Sequence, residues 1–354
     1  MFANKELYFF SEEILRWYLA HKRDLPWRNT ENPYHIWLSE IILQQTRVVQ
    51  GYDYYLRFIK AYPAIFDLAK ASEMEVLKLW QGLGYYSRAR NLHATAKQIV
   101  EKYNGIFPKR YEDVCSLKGI GQYTAAAICS FAYNQPFAVV DGNVYRVLSR
   151  LFGIDAPIDS TAGKKQFAGL AQQLLNKEKS ALHNQAIMEF GALQCTPQPD
   201  CSACVLQANC FAFVNKKVNL LPVKARKTKV STRYFNYFFI HSSQDTYLRK
   251  RIAADVWRNL YELPLIETAH DADLTDLLNS DFLSKLKNVI TFEGVSPAWE
   301  TKHVLSHQII RAKFYITKIQ EKIELPDFEK IPLTGLSRYP VSRLTELFLS
   351  KFIK

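Results

Sequence analysis

The sequence predicts two domains: a mostly helical N-terminal domain and a smaller α+β C-terminal domain. Apolar residues recur every three or four positions through the first 214 residues, the period of an amphipathic helix. Four cysteines close that region, and alternating, aromatic-rich segments typical of strands begin after residue 233. A chain of 354 residues is long enough for two cores. We therefore expect a helical domain over 1–214, a basic linker over 215–233 and an α+β domain over 234–354.

Each domain has its own candidate elements, separated by Gly and Pro residues. The strongest helical patterns are EEILRWYLA, IWLSEIILQQTRVV and EVLKLWQGLGYYSRARNLHATAKQIV. The linker carries seven Lys or Arg and no acid, so we expect a solvated tether. In the last domain, RYFNYFFI, DTYLRKR, NVITFEG and IIRAKFYITKI are strand candidates, and DADLTDLLNSDFLSKL and VSRLTELFLSKFIK fit helices. We expect these strands to form an antiparallel sheet.

Composition narrows the class of protein. Lys and Arg number 46 against 34 acids, a formal net charge of +12, which favours an anionic partner and above all nucleic acid. A basic protein without such a partner is the alternative. No apolar run reaches the length of a membrane helix, and the N-terminus does not have the pattern of a signal peptide. We therefore expect a cytoplasmic protein that has no membrane partner.

The four clustered cysteines predict a metal centre, because in the cytoplasm a dense cysteine group more often binds metal than forms disulfides. They follow the spacing Cys-x5-Cys-x2-Cys-x5-Cys and are Cys195, Cys201, Cys204 and Cys210. Iron–sulfur clusters and zinc both use four thiolates, so the spacing leaves the metal open. The other two cysteines, Cys115 and Cys129, lie in apolar helical stretches and are expected to be core thiols.

A glycine turn and two acids are the other chemical signals. Gly119 and Gly121 precede a helix of small residues, and such a turn suits a phosphate, although many helix hairpins also turn on glycine. Asp141 follows an apolar run and precedes a new helix, where it can cap that helix, act as a catalytic carboxylate, or do both. Glu40 lies in an apolar stripe, where burial would raise its pKa and make it a general acid. Its alternative is a position at the edge of the stripe.

Five segments together resemble one family. They are LPWR (25–28), PYHIWLSEIILQQT (33–46), GLGYYSRARNL (82–92), GIGQYTAAA (119–127) and VDGNV (140–144). With the cysteine loop they resemble the helix-hairpin-helix DNA glycosylases of the endonuclease III superfamily, and within it the MutY-type adenine DNA glycosylases. The resemblance covers nearly all of residues 8–212. It implies removal of adenine opposite 8-oxoguanine or guanine in duplex DNA by a monomer that is nucleoid-associated through its DNA.

The resemblance also implies roles for individual residues. Glu40 matches the general acid that protonates adenine, and Asp141 matches the carboxylate that stabilises the oxocarbenium-like sugar. Tyr123 and Asn143 match positions that orient these acids and the water. The adenine pocket matches Arg28, Trp27 and Gln185. The matching DNA-contact positions are Gln44, Gln45, Leu83, Tyr85, Gly119, Gly121 and Gln122.

Tyr123 separates two branches of the superfamily. The bifunctional enzymes carry a lysine at this position and form a Schiff base with the sugar, which a phenol cannot do. The resemblance therefore implies a monofunctional enzyme. An endonuclease III-like oxidised-pyrimidine glycosylase with lyase activity is the runner-up. A catalytically silent lesion-binding protein is the rival from another class, and the presence of both Glu40 and Asp141 argues against it.

The family likeness extends to the cofactor and to the second domain. It implies a [4Fe–4S] cluster on the four cysteines, although the first interval here holds five residues instead of the usual six. DVWRNLYELP (255–264) resembles a Nudix-like module that reads 8-oxoguanine, and in HVLSHQ (303–308) Leu305 replaces the usual Phe. Ser306 then matches a contact to the oxidised base and His307 one near the backbone. The acidic run of a Nudix hydrolase is missing, so we expect no pyrophosphate hydrolysis.

Overall fold

The computed structural model describes residues 4–225, 230–286, 289–319 and 323–353. Their Cα positions group into two compact units. The helical unit comprises Met1–Lys70 and Asn91–Arg226, and the sheet unit comprises Ala71–Arg90 and Lys227–Lys354. This division differs from the predicted domain boundaries, because residues 71–90 group with the C-terminal unit rather than with the rest of 1–214.

Helices account for most of the described chain up to residue 225. They are α1 (Asn4–His21), α2 (Pro33–Leu43), α3 (Val48–Ala61), α4 (Ile65–Lys70), α5 (Glu73–Trp80), α6 (Ser87–Tyr103), α7 (Tyr111–Cys115), α8 (Gln122–Tyr133), α9 (Gly142–Phe152), α10 (Thr161–Leu174), α11 (Ser180–Leu193) and α12 (Phe211–Val214). The three segments with the strongest helical period lie largely in these helices, so the helical prediction is confirmed, but turns at residues 44–47 and 81–86 divide the second and third segments into two helices each.

The core of the helical unit lies where α1, α9, α10 and α11 meet. Phe10, Ile14, Leu148, Phe167 and Phe190 form part of it, and none is more than 2% exposed. Elsewhere in the unit α2 packs against α8, whose middle is a run of buried alanines. Small side chains let two helices approach closely, and this packing brings the polar residues of α2 next to the start of α8.

The segment predicted to be a free linker is shorter than expected. Leu221 is 5% exposed, and its carbonyl oxygen accepts a hydrogen bond of 3.0 Å from Arg150 Nε. The N–H of Ile158 donates to the carbonyl oxygen of Val223 at 3.0 Å. Residues 215–225 therefore include positions that pack in the helical unit, and the first strand already begins at Ser231. Part of the predicted linker, residues 226–229, lies outside the described residues.

The sheet unit contains the predicted strands and three further helices. They are β1 (Ser231–His241), β2 (Asp245–Lys250), β3 (Tyr261–Glu262), β4 (Leu265–Thr268), α13 (Leu274–Leu278), α14 (Asp281–Ser284), β5 (Ile290–Phe292), β6 (Trp299–Val304), β7 (Gln308–Ile319), β8 (Glu329–Pro332) and α15 (Arg343–Phe352). The α+β class is therefore confirmed, and the Nudix-like detail stays a prediction.

The expected purely antiparallel sheet is wrong, because β1 and β7 pair in parallel. Their register runs from Ser231 opposite Gln308 to His241 opposite Lys318. The other neighbours, such as β1 with β4 and β6 with β7, are antiparallel. Six successive residues of β1, from Phe235 to Ile240, are buried. Burial on both faces is typical of a central strand in a parallel pair. The alternation of apolar and polar residues therefore did not predict the direction of this pairing.

No helix among the described residues combines the length and the apolarity that crossing a membrane requires.

Candidate active site

A cavity of about 560 Å³ opens in the helical unit and collects most of the predicted catalytic residues. Its walls come from α2, α8, α9, α11 and a 3-10 turn at Pro26–Arg28. The predicted residues that line it are Trp27, Arg28, Glu40, Gln44, Gln45, Tyr123, Asp141, Asn143 and Gln185. Residues that are far apart in the sequence therefore share one space large enough for a small organic group.

Glu40, on α2, is held partly protonated near neutral pH. Burial and the nearby charge of Asp141 raise the pKa of Glu40 to about 7, and a hydrogen bond from Tyr123 and the charge of Arg28 oppose this rise. The apolar residues around Glu40 in the sequence are the cause of the burial: Ile36 and Trp37 are 2% and 1% exposed. A carboxyl group with such a pKa can give up a proton at physiological pH.

The carboxylate of Asp141 accepts more hydrogen bonds than that of Glu40. It caps α9, and its Oδ1 accepts hydrogen bonds from the N–H groups of Asn143 at 2.9 Å and Val144 at 2.8 Å. Its Oδ2 accepts a third bond of 2.8 Å from Asn143 Nδ2. Arg146 Nη2 in turn donates to Asn143 Oδ1 at 2.8 Å. Asp141 therefore does cap a helix, as one of the two predicted roles required.

The two acids differ in how well their charged forms are stabilised. Burial raises the pKa of Asp141 above its usual value, and the three hydrogen bonds and the charge of Arg146 oppose that rise. The carboxylate of Glu40 accepts one hydrogen bond, from Tyr123. The negative charge of Asp141 disfavours a second negative charge on Glu40. The charged form of Asp141 therefore has more stabilising hydrogen bonds than that of Glu40.

Sequence reasoning missed Glu189, which forms one wall of the cavity on α11. Its carboxylate accepts hydrogen bonds from Arg28 Nη1 at 2.8 Å and Arg23 Nε at 2.8 Å, and its side chain is fully buried. Burial raises the pKa of Glu189, but the bonds from the two arginines outweigh it and lower the pKa to about 2. Glu189 has the same sequence signature as Glu40, an acid within the apolar run IMEFGAL, so that pattern could have found it.

Replacing Glu189 by Gln is expected to destabilise the protein by about 2 kcal/mol, because it leaves the partly exposed guanidinium groups of Arg23 and Arg28 without their buried anion. Urea denaturation at pH 7 measures this, with the exposed Glu178→Gln as the matched control. The stabilisation by Glu189 is present above its unfolded pKa and is lost as the pH falls towards 2. A change at pH 7 no larger than in the control would contradict the assignment.

Gln185 and Trp27 complete the predicted adenine pocket. The side-chain oxygen of Gln185 accepts a hydrogen bond of 2.7 Å from the Tyr18 hydroxyl, so its amide N–H groups are the part that can donate to a ligand. Trp27 is 8% exposed and packs edge-on against Tyr55, with the ring centroids 5.2 Å apart.

The glutamines after α2 and the glycine turn before α8, which are predicted DNA contacts, lie in the helical unit. Gln44 Nε2 donates to Thr124 Oγ1 at 3.2 Å, and Gln45 is exposed with a left-handed φ of 55°. Gly119 has a φ of 75°, and a Cβ there would lie 2.7 Å from the Asn91 side chain, so only glycine fits. Gly121 and Gln122 are exposed at the start of α8.

The predicted DNA contacts Leu83 and Tyr85 have different surroundings. Leu83 is 6% exposed, so its side chain is buried. Tyr85 is 45% exposed and has a φ of 47°. The exposed member of this loop is therefore Tyr85, and nothing in the sequence pattern GLGYY distinguished the two.

Ser306 and His307 form the exposed tip of the β6–β7 hairpin in the sheet unit. The turn is closed by a hydrogen bond of 2.8 Å from the N–H of Leu305 to the carbonyl oxygen of Gln308. Ser306 Oγ and His307 Nδ1 are 3.1 Å apart, within hydrogen-bond distance. Both side chains are accessible to a ligand, as their predicted role requires.

The four clustered cysteines carry free thiols and line one small cavity of about 30 Å³. Arg150 Nη1 lies 3.5 Å from Cys195 Sγ, and backbone N–H groups bond to the sulfurs of Cys204 and Cys210. Thiolates need such donors, so the chemistry of these residues fits an iron–sulfur or zinc centre. As placed, no three His, Cys, Asp or Glu side chains of the described residues form a group that could hold a metal ion. The cluster stays a prediction.

Comparisons with known proteins agree with the fold. Residues 38–173 match the HhH-GPD superfamily of base excision DNA repair proteins. The chain is 30% identical to the structure of a thermostable thymine-DNA glycosylase, with a TM-score of 0.56, over 60% of this chain and 98% of that one. An endonuclease III–DNA complex shares the fold at 21% identity and a TM-score of 0.53, over 61% of this chain and 99% of that one. The chain is therefore a DNA glycosylase of the helix-hairpin-helix superfamily.

Curated relatives identify the family within this superfamily. An adenine DNA glycosylase of Buchnera aphidicola subsp. Baizongia pistaciae is 35% identical over 84% of this chain and 83% of its own length. A Mus musculus adenine DNA glycosylase is 46% identical over 58% of this chain and 42% of its own length. The chain belongs to the adenine DNA glycosylase family, which confirms the family predicted from its motifs.

Proposed function

We propose that this enzyme hydrolyses the N-glycosidic bond of adenine that is mispaired with 8-oxoguanine or guanine in duplex DNA. The curated relatives named as adenine DNA glycosylases support the substrate base. The observation that carries the proposal is the cavity in which Glu40 and Asp141 meet, one acid with a pKa of about 7 and the other held by three hydrogen bonds.

The target nucleotide must leave the base stack before any side chain can reach its glycosidic bond. A cavity of about 560 Å³ can take one everted base with its sugar at the mouth. Arg28 and the amide N–H groups of Gln185 offer donors, and Trp27 offers an apolar wall. Gln44, Gln45 and the exposed turn at Gly119, Gly121 and Gln122 contact the surrounding duplex.

Glu40 acts as the general acid. It donates its proton to N7 of adenine while the C1′–N9 bond breaks, and the bonding electrons leave with the base, which departs neutral. Tyr123, which hydrogen-bonds to Glu40, fixes the orientation of the carboxyl group. The same bond favours the ionised form, so Tyr123 also stabilises Glu40 after the proton has gone.

Asp141 stabilises the positive charge that develops on the sugar. Its carboxylate is fixed by the start of α9 and by Asn143, so it needs no rearrangement as the charge develops. Water then adds to C1′ and gives an abasic site. Because Tyr123 stands where a lyase carries lysine, no Schiff base forms and the strand remains intact.

The four cysteines are proposed to hold a [4Fe–4S] cluster, which when bound would cross-link the loop of residues 195–210. Arg150 and the backbone N–H groups near the sulfurs would stabilise the thiolates. Absorbance near 400 nm and an iron assay on the aerobically purified protein test this, because a zinc protein would be colourless. We also propose that the enzyme acts as a monomer on the DNA of the cytoplasmic nucleoid, as the family resemblance implies.

The sheet unit is proposed to read the base opposite adenine through Ser306 and His307, as the resemblance to a Nudix-like module implies. Replacing both by Ala is expected to lower the preference for 8-oxoguanine over guanine about fivefold, because the lost Ser306 bond to the oxidised base contributes about 1 kcal/mol and a contact near the backbone affects both duplexes alike. Excision kinetics on the two duplexes measure the ratio, with the exposed Ser350→Ala as the control. An unchanged ratio would overturn this part of the proposal.

A gel assay on a duplex with adenine opposite 8-oxoguanine tests the whole proposal. Strand breaks that appear only after hot alkali would indicate base removal without lyase activity. Breaks without alkali, together with borohydride trapping of a protein–DNA adduct, would favour the oxidised-pyrimidine glycosylase/lyase alternative. No excision under single-turnover conditions would favour a lesion-binding protein.

A further inference from the structure

The loop Gly82–Tyr85 follows α5 and belongs to the sheet unit. Gly82, Gly84 and Tyr85 all have a left-handed backbone, with φ of 93°, 77° and 47°. For a tyrosine this conformation costs about 1 kcal/mol, and it persists only where the surroundings hold it. The side chain of Tyr85 is 45% exposed, but the Arg88 guanidinium lies 5.7 Å from its ring centroid, and hydrogen bonds to the backbone of the loop add to this restraint.

Neighbouring side chains hold the loop from within the segment itself. Trp80 Nε1 donates to the carbonyl oxygen of Gly84 at 2.9 Å, and Arg88 Nη2 donates to the same oxygen at 3.2 Å. The Arg88 guanidinium packs over the Trp80 ring, 5.0 Å from its centroid. The N–H of Gly82 donates to the Tyr86 hydroxyl at 3.2 Å. These bonds define the shape of the loop.

A second set of contacts ties the residue before the loop to a distant part of the sheet unit. Gln81 Oε1 accepts a hydrogen bond of 3.0 Å from the N–H of Val341 and one of 3.2 Å from Lys78 Nζ. Lys78 Nζ also donates to the carbonyl oxygen of Tyr339 at 3.2 Å. Gln81 and Lys78 thus join α5 to the segment Tyr339–Val341.

That segment is itself fixed to the sheet. The N–H of Tyr261, the first residue of β3, donates to the carbonyl oxygen of Pro340 at 2.8 Å. The rings of Tyr261 and Tyr339 meet edge-on with centroids 4.7 Å apart. A continuous series of bonds therefore leads from β3 through Tyr339–Val341 and Gln81 to Gly82.

We propose that Gln81 is a positioning residue that couples the sheet unit to Tyr85. The inference rests on the proposed function, in which Ser306 and His307 read the opposite base, and on the family resemblance, which implies that Tyr85 contacts the DNA near the lesion. All three lie in the sheet unit. The same unit then makes both contacts, the one by Tyr85 and the one to the opposite base. The hydrogen bonds of Gln81 fix the position of the loop relative to the sheet.

Two substitutions at Gln81 test the coupling. Leu removes the acceptor for Val341 N–H and Lys78 Nζ at similar volume, whereas Glu keeps an acceptor oxygen. With a duplex that carries a tetrahydrofuran abasic analogue opposite 8-oxoguanine, Gln81→Leu is expected to raise Kd about fivefold, the effect of one hydrogen bond. Gln81→Glu should stay within about twofold of the wild type. The single-turnover excision rate at saturating enzyme should be unchanged in both, because Gln81 acts on binding.

A double-mutant cycle shows whether Gln81 affects Kd through Tyr85 or independently of it. If Gln81 acts through Tyr85, Gln81→Leu adds no further loss in the Tyr85→Ser background. Additive losses, an unchanged Kd in Gln81→Leu, or an equal loss in Gln81→Glu would overturn the inference. If Tyr85→Ser alone binds like the wild type, the failure lies in the proposed function of Tyr85. Thermal unfolding of each variant verifies that the sheet unit is folded.

Discussion

Replacing Glu40 by Gln is expected to lower the single-turnover rate of adenine excision about 10³-fold. Gln has the shape of the protonated acid and can still bond to Tyr123, but it has no proton to give to adenine N7. The base must then leave as an anion. Because ground-state contacts are retained, Kd for the substrate duplex should change little, and the loss should fall on the chemical step.

Rapid-quench kinetics with enzyme in excess over the mispaired duplex measure this rate directly. The matched control is Glu178→Gln, which makes the same chemical change at an exposed position of the helical unit. Excision by Glu40→Gln within a few fold of the control would show that the proton comes from another group.

Replacing Asp141 by Asn is expected to cost a similar factor, about 10³-fold, for a different reason. Asn caps helices as well as Asp does, so the bonds to the N–H groups of Asn143 and Val144 can remain. The neutral amide cannot stabilise a cationic sugar. Catalysis should therefore fall while the melting temperature changes by only a few degrees.

The contrast between rate and stability separates the two roles of this residue. Asp273 caps α13 in the sheet unit, so Asp273→Asn makes the same cap exchange away from the cavity. It should retain full excision activity. If Asp141→Asn is unfolded, or if it is folded and fully active, Asp141 is a capping residue alone.

Local sequence patterns were sufficient for the helices and for both acids. Glu40 was predictable because its neighbours at helical spacing are apolar, and Asp141 because it stands between an apolar run and a glycine. The arginine pair around Glu189 was not predictable in this way, since Arg23 lies 166 positions from its partner. The pKa of an acid in an apolar run can be raised or lowered. The direction depends on partners that are distant in the sequence.

In the sheet unit, too, local sequence patterns do not predict features that depend on distant partners. The parallel pairing of β1 with β7 joins residues 231 and 308, and no local period reports the direction of a partner strand. Leu83 and Tyr85 stand two positions apart in a glycine-rich loop, yet one is buried and the other exposed. The left-handed backbone at Gly82, Gly84 and Tyr85 changes the direction of the chain in a way that a strand or helix period does not describe.

The central claim is that Glu40 delivers its proton from a pKa of about 7. The most direct test is the pH dependence of the single-turnover excision rate between pH 5.5 and 9, with enzyme saturating at every pH. A general acid acts in its protonated form, so the rate should fall above pH 7 and approach a tenfold loss per pH unit. A rate that stays constant up to pH 9 would contradict the account.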